Sequence, residues 1–480
     1  EDYVAPSNET EVKLVKIWSE ILKIDQSQIG VNKSFFELGG HSLKVTLLVN
    51  KIQKELQSVI SVKDVFNYQD IAGLSKLIEK SVNANYSSMQ KTDDKEYYKL
   101  SSAQRRLYFL YEFDKNSIAY NMPYALILKG KVDKELIEES FRKLIERHSS
   151  LRTSFRLVKG ESVQVISKTS DFKLDYYNLG NDLDYNEIIK LFVRPFDFTA
   201  RSIFRAGIAK LSEEKFLLLV DLHHIVCDGI SLEVLIKDFM SLYSNLVLPK
   251  LKIEYKDYSE WRQIAKQKVA LDQHRKYWKS EFADIAEPIN LCTDFTRPEL
   301  RSFQGDKLVF ELSSSTVESL KNIASANDSS VFMILLCSFK ILLSKLSNQD
   351  DLVVGTVNSG RDHYDVEEMI GMFVNTLAIR TNPLGGKEFI EYLQEVRVKV
   401  LNSFEHQLYQ YEELIDELNI ERVQSRNPLF DIVFSYANVG EQKLTIPGLD
   451  IQAYERDSKI SKFDLTLIAQ DNGDKVVCTF

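Results

Sequence analysis

The chain has 480 residues, of which 44% are hydrophobic and 27% charged, a composition typical of globular protein. This length exceeds what one hydrophobic core usually organises and predicts about three globular bodies. The net charge is −9, and no basic cluster interleaved with aromatic residues occurs, which argues against nucleic acid as a partner. No signal-peptide pattern and no apolar run of the ~20 residues that cross a bilayer is present, so we expect no membrane association.

The cysteines are the next compositional clue. The four of them, Cys227, Cys292, Cys337 and Cys478, are scattered without the spacing of metal ligands. We therefore expect reduced thiols, a cytoplasmic protein and no metal site.

The first 80 residues have the pattern of a small helical bundle. Amphipathic helices are predicted around residues 12–22 and 71–78, and another begins at Ser42. Before it stands Phe-Phe-Glu-Leu-Gly-Gly-His-Ser-Leu over residues 35–43, where Gly39 and Gly40 allow a tight turn and close approach of another protein. A helix start favours an anion bound to the Ser42 hydroxyl, although Ser42 could equally be a simple helix cap.

This segment resembles the peptidyl carrier domain of nonribosomal peptide synthetases. The resemblance implies an all-α four-helix bundle over residues 1–80, with 4′-phosphopantetheine attached covalently to Ser42. It also implies a phosphopantetheinyl transferase as a partner.

A polar stretch without apolar periodicity follows over residues 81–97 and predicts a mobile linker. Beyond it, helical patterns such as 135–148 alternate with strand patterns such as 163–166, which indicates an α/β fold. A proline-bounded stretch at 288–298 separates two comparable halves. We predict two lobes, over residues 98–275 and 276–480, with a closing segment missing because the sequence ends inside a strand pattern.

The segment His-His-Ile-Val-Cys-Asp-Gly, residues 223–229, follows a predicted buried strand over 216–222 and precedes a helix that Ser231 can cap. Side chains alternate across a strand, so only one of His223 and His224 can face a given substrate. A hydrogen-bonded core feature is the alternative for such a pair.

Separated segments of residues 98–480 resemble, in order, the motifs of the condensation domain of nonribosomal peptide synthetases. They are residues 102–107, 147–155, 223–229, 255–258 with Trp261, 370–376, His406-Gln407 and 425–429. The resemblance implies a two-lobed chloramphenicol-acetyltransferase-like fold with the active site between the lobes. It implies amide formation, in which the amine of a carrier-bound aminoacyl thioester attacks the thioester of an upstream acyl chain.

The same resemblance implies roles for single residues. His224 is expected nearest the reacting amine, either as a base or by positioning it, and His223 is expected to support it. Asp228 is a candidate catalytic carboxylate, but an ion pair with Arg152 or Arg361 that braces the loop is favoured. Gly229 either lets its N–H approach an oxyanion or serves as a turn glycine. Asn375 and Ser102 are candidates for lining the tunnel.

Domain order adds partners and alternatives. Because the carrier precedes the condensation unit, it should present the donor, with an upstream adenylation domain and downstream adenylation and carrier domains as partners. An epimerisation domain shares the histidine motif, but carriers that feed one usually have Asp where this sequence has His41. A noncatalytic carrier-docking module is the alternative from another class.

Overall fold

The computed structural model describes residues 3–40, 42–80, 89–178, 184–265, 269–421, 423–438, 445–446, 448–454 and 459–480. The side chains of residues 42, 43, 265, 269, 270, 438 and 445 are outside this description.

The N-terminal part is the predicted helical bundle. Its helices are α1 Glu9–Leu22, α2 Ser42–Leu56, α3 Val62–Asn67 and α4 Ile71–Lys80. Asn8 caps α1 by accepting the Glu11 N–H at 2.8 Å. The fully buried rings of Trp18 and Phe35 meet edge to face in the core, 5.0 Å apart. These aromatic contacts hold together a bundle of short helices that would be marginal in isolation.

Part of the predicted linker, residues 89–97, lies against the following domain. The Met89 side chain is buried among apolar residues of the following domain, and its N–H donates to Asp365 at 2.9 Å. The Thr92 N–H donates to Asp257 at 2.9 Å. Polar composition predicted mobility, but the burial of Met89 and these backbone donations fix the segment on the domain surface. The remaining linker residues, 81–88, lie outside the described residues.

The first lobe is built on two sheets and the helices that pack on them. Its helices are α5 Ser102–Phe113, α6 Lys134–Arg147, α7 Tyr185–Phe192, α8 Gly229–Tyr243 and α9 Tyr255–Ala265. The next helix, α10 Val269–Glu281, packs on the second lobe, where the Trp278 ring N–H donates to the His406 carbonyl at 2.9 Å. Its strands are β1 Tyr98–Lys99, β2 Tyr124–Gly130, β3 Thr153–Val158, β4 Glu161–Ile166, β5 Asp175–Asn178, β6 Phe204–Ser212 and β7 Lys215–Leu222. A small sheet has the order β1-β4-β3, and in the large sheet β7 is central and buried between β2 and β6.

The second lobe has its own sheet and helices. Its helices are α11 Ser314–Ala326, α12 Val331–Ser347, α13 Phe389–Glu405 and α14 Tyr411–Glu417. Its strands are β8 Val309–Leu312, β9 Leu352–Asn358, β10 Asn375–Thr381, β11 Ile432–Asn438, β12 Thr445–Ile446, β13 Leu449–Ala453, β14 Leu465–Asp471 and β15 Val476–Thr479. Its sheet has the order β10-β9-β11-β14-β15-β8, with β11 parallel to both β9 and β14. In the described ranges no single helix is long and apolar enough to cross a membrane; only α11 and α12 together meet that test, bent by 104°.

The predicted division of the lobes at residue 275 needs one correction. Strand β13 pairs antiparallel with β2, and β12 pairs with β13, so both belong to the large sheet of the first lobe. The chain crosses back because β2 has a free edge that these strands cover. The proline-bounded stretch 288–298 lies between α10 and β8 and contains neither helix nor strand.

The helical bundle rests on the second lobe through α2 and α3. The Asn50 side chain, on α2, donates to the Arg361 carbonyl at 2.9 Å. The Lys54 ammonium lies 3.1 Å from the centroid of the Tyr364 ring. Helix α3 packs beside α13. The bundle therefore contacts the same segment that, through Arg361, reaches the histidine loop.

Candidate active site

The histidine loop lies between the central strand β7 and helix α8. The His224 N–H donates to the Tyr120 carbonyl at 2.9 Å, and the Val226 N–H donates to the His223 carbonyl at 3.1 Å. Gln104 of α5 also supports the loop, because its side chain donates to the Ile225 carbonyl at 3.3 Å. A buried sheet and a helix thus fix the loop from both sides.

The His223 ring faces the interior of the first lobe. It is 6% exposed, and its Nδ1 accepts the Ile225 N–H at 3.1 Å. The Phe198 ring meets it edge to face with centroids 4.6 Å apart. Burial lowers the pKa of His223 well below its usual value, with smaller contributions from His224 and Lys462. This neutral, packed ring has the surroundings of a supporting residue.

The His224 ring is half-buried, and its Nδ1 atom has no hydrogen-bond partner among the described residues. Burial, and next the nearby charge of Lys462, lower the pKa of His224 to about 3. The imidazole is therefore neutral at neutral pH and can accept a proton or a hydrogen bond. Burial is the larger cause of its neutrality.

The Asp228 carboxylate is fully buried and fully engaged by the protein. Its Oδ1 accepts the Ser231 N–H at 2.8 Å and an Arg361 N–H at 3.3 Å, and its Oδ2 accepts the Phe373 N–H at 3.0 Å. Asp228, not Ser231 as predicted, is therefore the cap of α8. A carboxylate with its oxygens bound in this way braces the loop.

Arg361 is the second half of this brace. Its guanidinium, 1% exposed, also donates to Ser231 Oγ at 2.8 Å and to the Met369 carbonyl at 2.9 Å. The other predicted partner, Arg152, instead donates to the carbonyls of Ser167 and Ile145. Of the two alternatives for the ion pair, the structure brings Arg361 to Asp228.

Gly229 opens α8 directly after the brace. Its φ is not positive, and a Cβ placed on it would meet no atom within 4 Å. Neither backbone strain nor packing therefore requires glycine at this position. The open space beside an exposed helix-start N–H instead leaves room for a ligand to approach the backbone.

The remaining two predicted site residues tie elements together. Ser102 Oγ, on α5 of the first lobe, donates to Glu413 of α14 in the second lobe at 2.7 Å. Ser102 also lines a small pocket together with residues of both lobes, among them Met372 and Phe373. Asn375 is 2% exposed and donates to the Gln407 carbonyl at 2.9 Å, while its oxygen accepts the Tyr411 N–H at 3.2 Å. Ser102 thus faces the space between the lobes, whereas Asn375 is a brace within the second lobe.

In the helical bundle, the loop before α2 is shaped by two glycines. Gly39 has φ of 89° with open space beside its Cα, and a Cβ on Gly40 would lie 2.2 Å from the Phe35 ring. Helix α2 begins at Ser42, whose side chain, like all of His41, lies outside the described residues. The start of α2, beside the open space at Gly39, leaves room for a bulky phosphodiester on Ser42. Lys44, which donates to the Gly39 carbonyl at 3.3 Å, adds a cation to this loop.

Sequence reasoning missed Lys462, Tyr120 and Arg106 near His224. Lys462 lies over the Tyr120 ring, with its nitrogen 5.0 Å from the ring centroid. Arg106 pairs with Glu412 at 3.3 Å, and its charge contributes to lowering the pKa of His224. Lys462 lies 238 residues from His224 along the chain, so no local spacing connects the two. A lysine between the apolar residues Ile460 and Phe463 was the available signal.

Two family models match the chain. One is described as "Condensation domain" and matches residues 94–480, and the other as "Phosphopantetheine attachment site" and matches residues 12–78. The second match confirms the prediction of covalently attached 4′-phosphopantetheine. The two family matches thus agree with the two resemblances inferred from the motifs.

Individual proteins give the same result. Bacitracin synthase 3 of Bacillus licheniformis is 42% identical over 475 residues, covering 99% of this chain and 7% of that protein. A chain from the complex of the X-domain and OxyB from teicoplanin biosynthesis shares the fold with TM-score 0.76 and 20% identity, covering 82% of this chain and 90% of that chain. The condensation domain from Monacolin K polyketide synthase has TM-score 0.71 and 18% identity, covering 81% and 92%.

The chain spans 7% to 19% of the length of the first curated relatives that it matches. Its own match to the condensation model nevertheless covers most of its residues. The chain therefore belongs to the condensation-domain family and carries a phosphopantetheine-attachment domain ahead of it, the pairing found in nonribosomal peptide synthetases.

Proposed function

We propose that this unit joins the acyl group held by its own carrier domain to the amine of an aminoacyl group on a downstream carrier, forming an amide. The observation that supports this most directly is the half-buried, neutral His224, whose Nδ1 lacks a described partner while the side chains of His223 and Asp228 in the same loop are hydrogen-bonded. A pair of histidines serving only the core would both be packed and hydrogen-bonded, as His223 is.

In this proposal the carrier covers residues 1–80, the linker 81–97, and the two lobes 98–275 and 276–480. Strands β12 and β13 of the second range pair within the sheet of the first lobe. Ser42 is the attachment residue. When bound there, 4′-phosphopantetheine supplies a flexible arm with a thiol that carries the acyl group as an activated thioester. The chain's own contribution is then mainly the alignment of the two reacting groups, which is worth as much as ~7 to 11 kcal/mol.

His224 accepts a hydrogen bond from the attacking amine and orients its lone pair toward the acyl carbon. A full transfer of the proton to His224 is disfavoured, because burial and the Lys462 charge lower the pKa of His224 to about 3. We therefore assign His224 a positioning contact with the amine in preference to a general base. Gly229 leaves its N–H open toward the acyl oxygen, and Asp228 with Arg361 holds the loop.

The proposed partners follow from this assignment. A phosphopantetheinyl transferase modifies Ser42, an upstream adenylation domain supplies the donor, and downstream adenylation and carrier domains supply the acceptor. The contacts of Asn50 and Lys54 on the second lobe support this surface as the one through which the carrier approaches the condensation unit.

The test begins with enzymatic pantetheinylation of the purified chain, with Ser42→Ala as the matched control. A donor aminoacyl group is loaded on the arm, a downstream carrier bearing an aminoacyl thioester is supplied in trans, and products are followed by mass spectrometry. A new amide supports the proposal. Exchange of the donor α-hydrogen with deuterium and no amide would assign epimerisation instead, and neither product from folded, loaded protein would assign a docking module. Loading that persists in Ser42→Ala would overturn the attachment site.

A further inference from the structure

Lys462 crosses from the second lobe to the histidine loop of the first. It belongs to the segment 459–463, which precedes β14, and its ammonium lies 5.0 Å from the centroid of the Tyr120 ring. The carbonyl of the same Tyr120 accepts the His224 N–H at 2.9 Å. Tyr120 thus contacts both this cation of the second lobe and His224, the residue assigned to the reaction.

The backbone of this segment is held independently of the Lys462 side chain. The Ser461 N–H donates to the Phe303 carbonyl, and the Gly305 N–H donates to the Lys459 carbonyl, each at 2.9 Å. Asn427 donates to the Lys462 carbonyl at 3.4 Å. The ammonium is therefore not needed to anchor the segment.

Among the residues that the structure describes, no carboxylate pairs with Lys462, whereas its neighbour Arg106 has Glu412 at 3.3 Å. Removing a charge from water without a partner is costly, and the Tyr120 ring returns only part of that cost. A lysine kept at this position against its solvation preference points to a use for its charge.

We propose that Lys462 is a positioning residue of the second lobe, which holds positive charge at the reacting centre beside His224. This inference rests on the proposed amide formation. In that reaction the amine nitrogen bonds to the acyl carbon while the carbonyl π electrons move to oxygen. The carbon–sulfur bond then breaks, the carbonyl re-forms, and the thiol leaves with the proton that the nitrogen has lost.

Burial lowers the pKa of Lys462 to about 8, so at neutral pH the residue is mostly protonated, and its positive charge acts on two species of this sequence. It stabilises the oxyanion that forms as the carbonyl opens. It also disfavours an acceptor bound as an ammonium ion, which has no lone pair with which to attack. Both effects depend on the charge of Lys462 and not on its shape.

The test compares Lys462→Met, which keeps length without charge, with Lys462→Arg, which keeps charge. The matched control is Lys459→Met, in which an exposed lysine paired with Asp306 at 2.8 Å loses its charge three residues away. Single-turnover amide formation should fall about 10²-fold in Lys462→Met and be largely restored in Lys462→Arg. The pKa of His224, followed by NMR with labelled histidine, should rise in Lys462→Met and stay low in the other two proteins.

Wild-type rates in Lys462→Met, an unchanged His224 pKa in that variant, or equal loss of activity in Lys462→Arg would overturn the inference. If the wild-type chain forms no amide, the proposed function fails, yet the His224 titration still decides whether Lys462 places its charge at that residue.

Discussion

At the residue scale, His224 differs from every other member of its loop in having an unpartnered buried nitrogen. Replacing it by glutamine, which keeps a polar side chain without the imidazole, should misplace the amine and lower the rate of amide formation by roughly 10²-fold. Single-turnover mass spectrometry measures the rate. Loading of the carrier and the thermal unfolding midpoint serve as controls, because both should match the wild type. Full turnover in His224→Gln would remove this residue from the reaction.

The same ring predicts a pH dependence of stability. The pKa of His224 is lowered from 6.5 to about 3 on folding, mainly by burial. Between these values the unfolded chain binds the proton and the folded chain does not, so stability is full above pH ~6.5 and falls as the pH falls toward ~3. From pH 7 to pH 5, this histidine should cost the wild type roughly 1–2 kcal/mol that His224→Gln does not lose. Denaturant unfolding of both proteins at the two pH values measures the difference, and equal losses would contradict it.

What sequence could predict at this scale is the identity of the loop and the different surroundings of its two histidines. The alternation argument gave opposite orientations for His223 and His224, although β7 ends at Leu222, His223 forms only a bridge with Asn121, and His224 lies in a turn. The cap was misassigned because Asp and Ser are both good caps, and only the hydrogen bond from the Ser231 N–H to Asp228 decides between them. Lys462 could not be predicted, since it reaches the site only through the packing of the lobes.

At the element scale, the Asp228–Arg361 pair joins the start of α8 to the segment before β10. Both side chains are at most 1% exposed, and their nearest atoms lie 3.3 Å apart. Arg361→Met should therefore lower the free energy of unfolding by about 3–5 kcal/mol, because it strands a buried carboxylate. The double variant Asp228→Asn/Arg361→Met should lose less than the sum of the two single variants.

Denaturant unfolding of the four proteins provides this double-mutant cycle. We expect a coupling of about 0.5–3 kcal/mol, since the two residues share one hydrogen-bond network. Additive losses would mean that the two side chains act separately. Because activity should fall with stability in each single variant, activity loss at Asp228 alone does not identify a catalytic carboxylate.

Element by element, periodicity predicted α1, α4, α6 and β7 within a few residues, and the family resemblance predicted the two-lobed fold that the structural comparisons confirm. Prediction from local sequence patterns failed where the pairing of strands is long-range. The return of β13 to β2 joins residues more than 300 apart, and no local pattern identifies the edge that it covers. The docking of Met89 was missed for the same reason, because one apolar residue in a polar stretch has no periodicity.

At the scale of the whole molecule, the carrier must reach its contact on the second lobe and leave it again. Its described contacts there include one buried hydrogen bond, from Asn50 to the Arg361 carbonyl at 2.9 Å, and one cation–π contact, from Lys54 to Tyr364. Such contacts are worth about 0.5–1.5 and about 0.5–1 kcal/mol, respectively. Together they can bias the carrier toward this position without locking it there.

The double variant Asn50→Ala/Lys54→Ala should therefore free the carrier without unfolding either domain. The NMR rotational correlation time of carrier amides should fall toward that of an isolated small domain, while the unfolding midpoint of the condensation unit stays unchanged. Lys13→Ala is the matched control, because this lysine of α1 pairs with Glu9 at 2.7 Å within the carrier itself. Asn50 contacts Arg361, whose guanidinium also holds Asp228 in the histidine loop. The double variant should therefore condense its donor more slowly than the wild type, whereas Lys13→Ala should condense it at the wild-type rate. A correlation time unchanged in the double variant would show that α3 against α13, and not these two side chains, holds the carrier on the lobe.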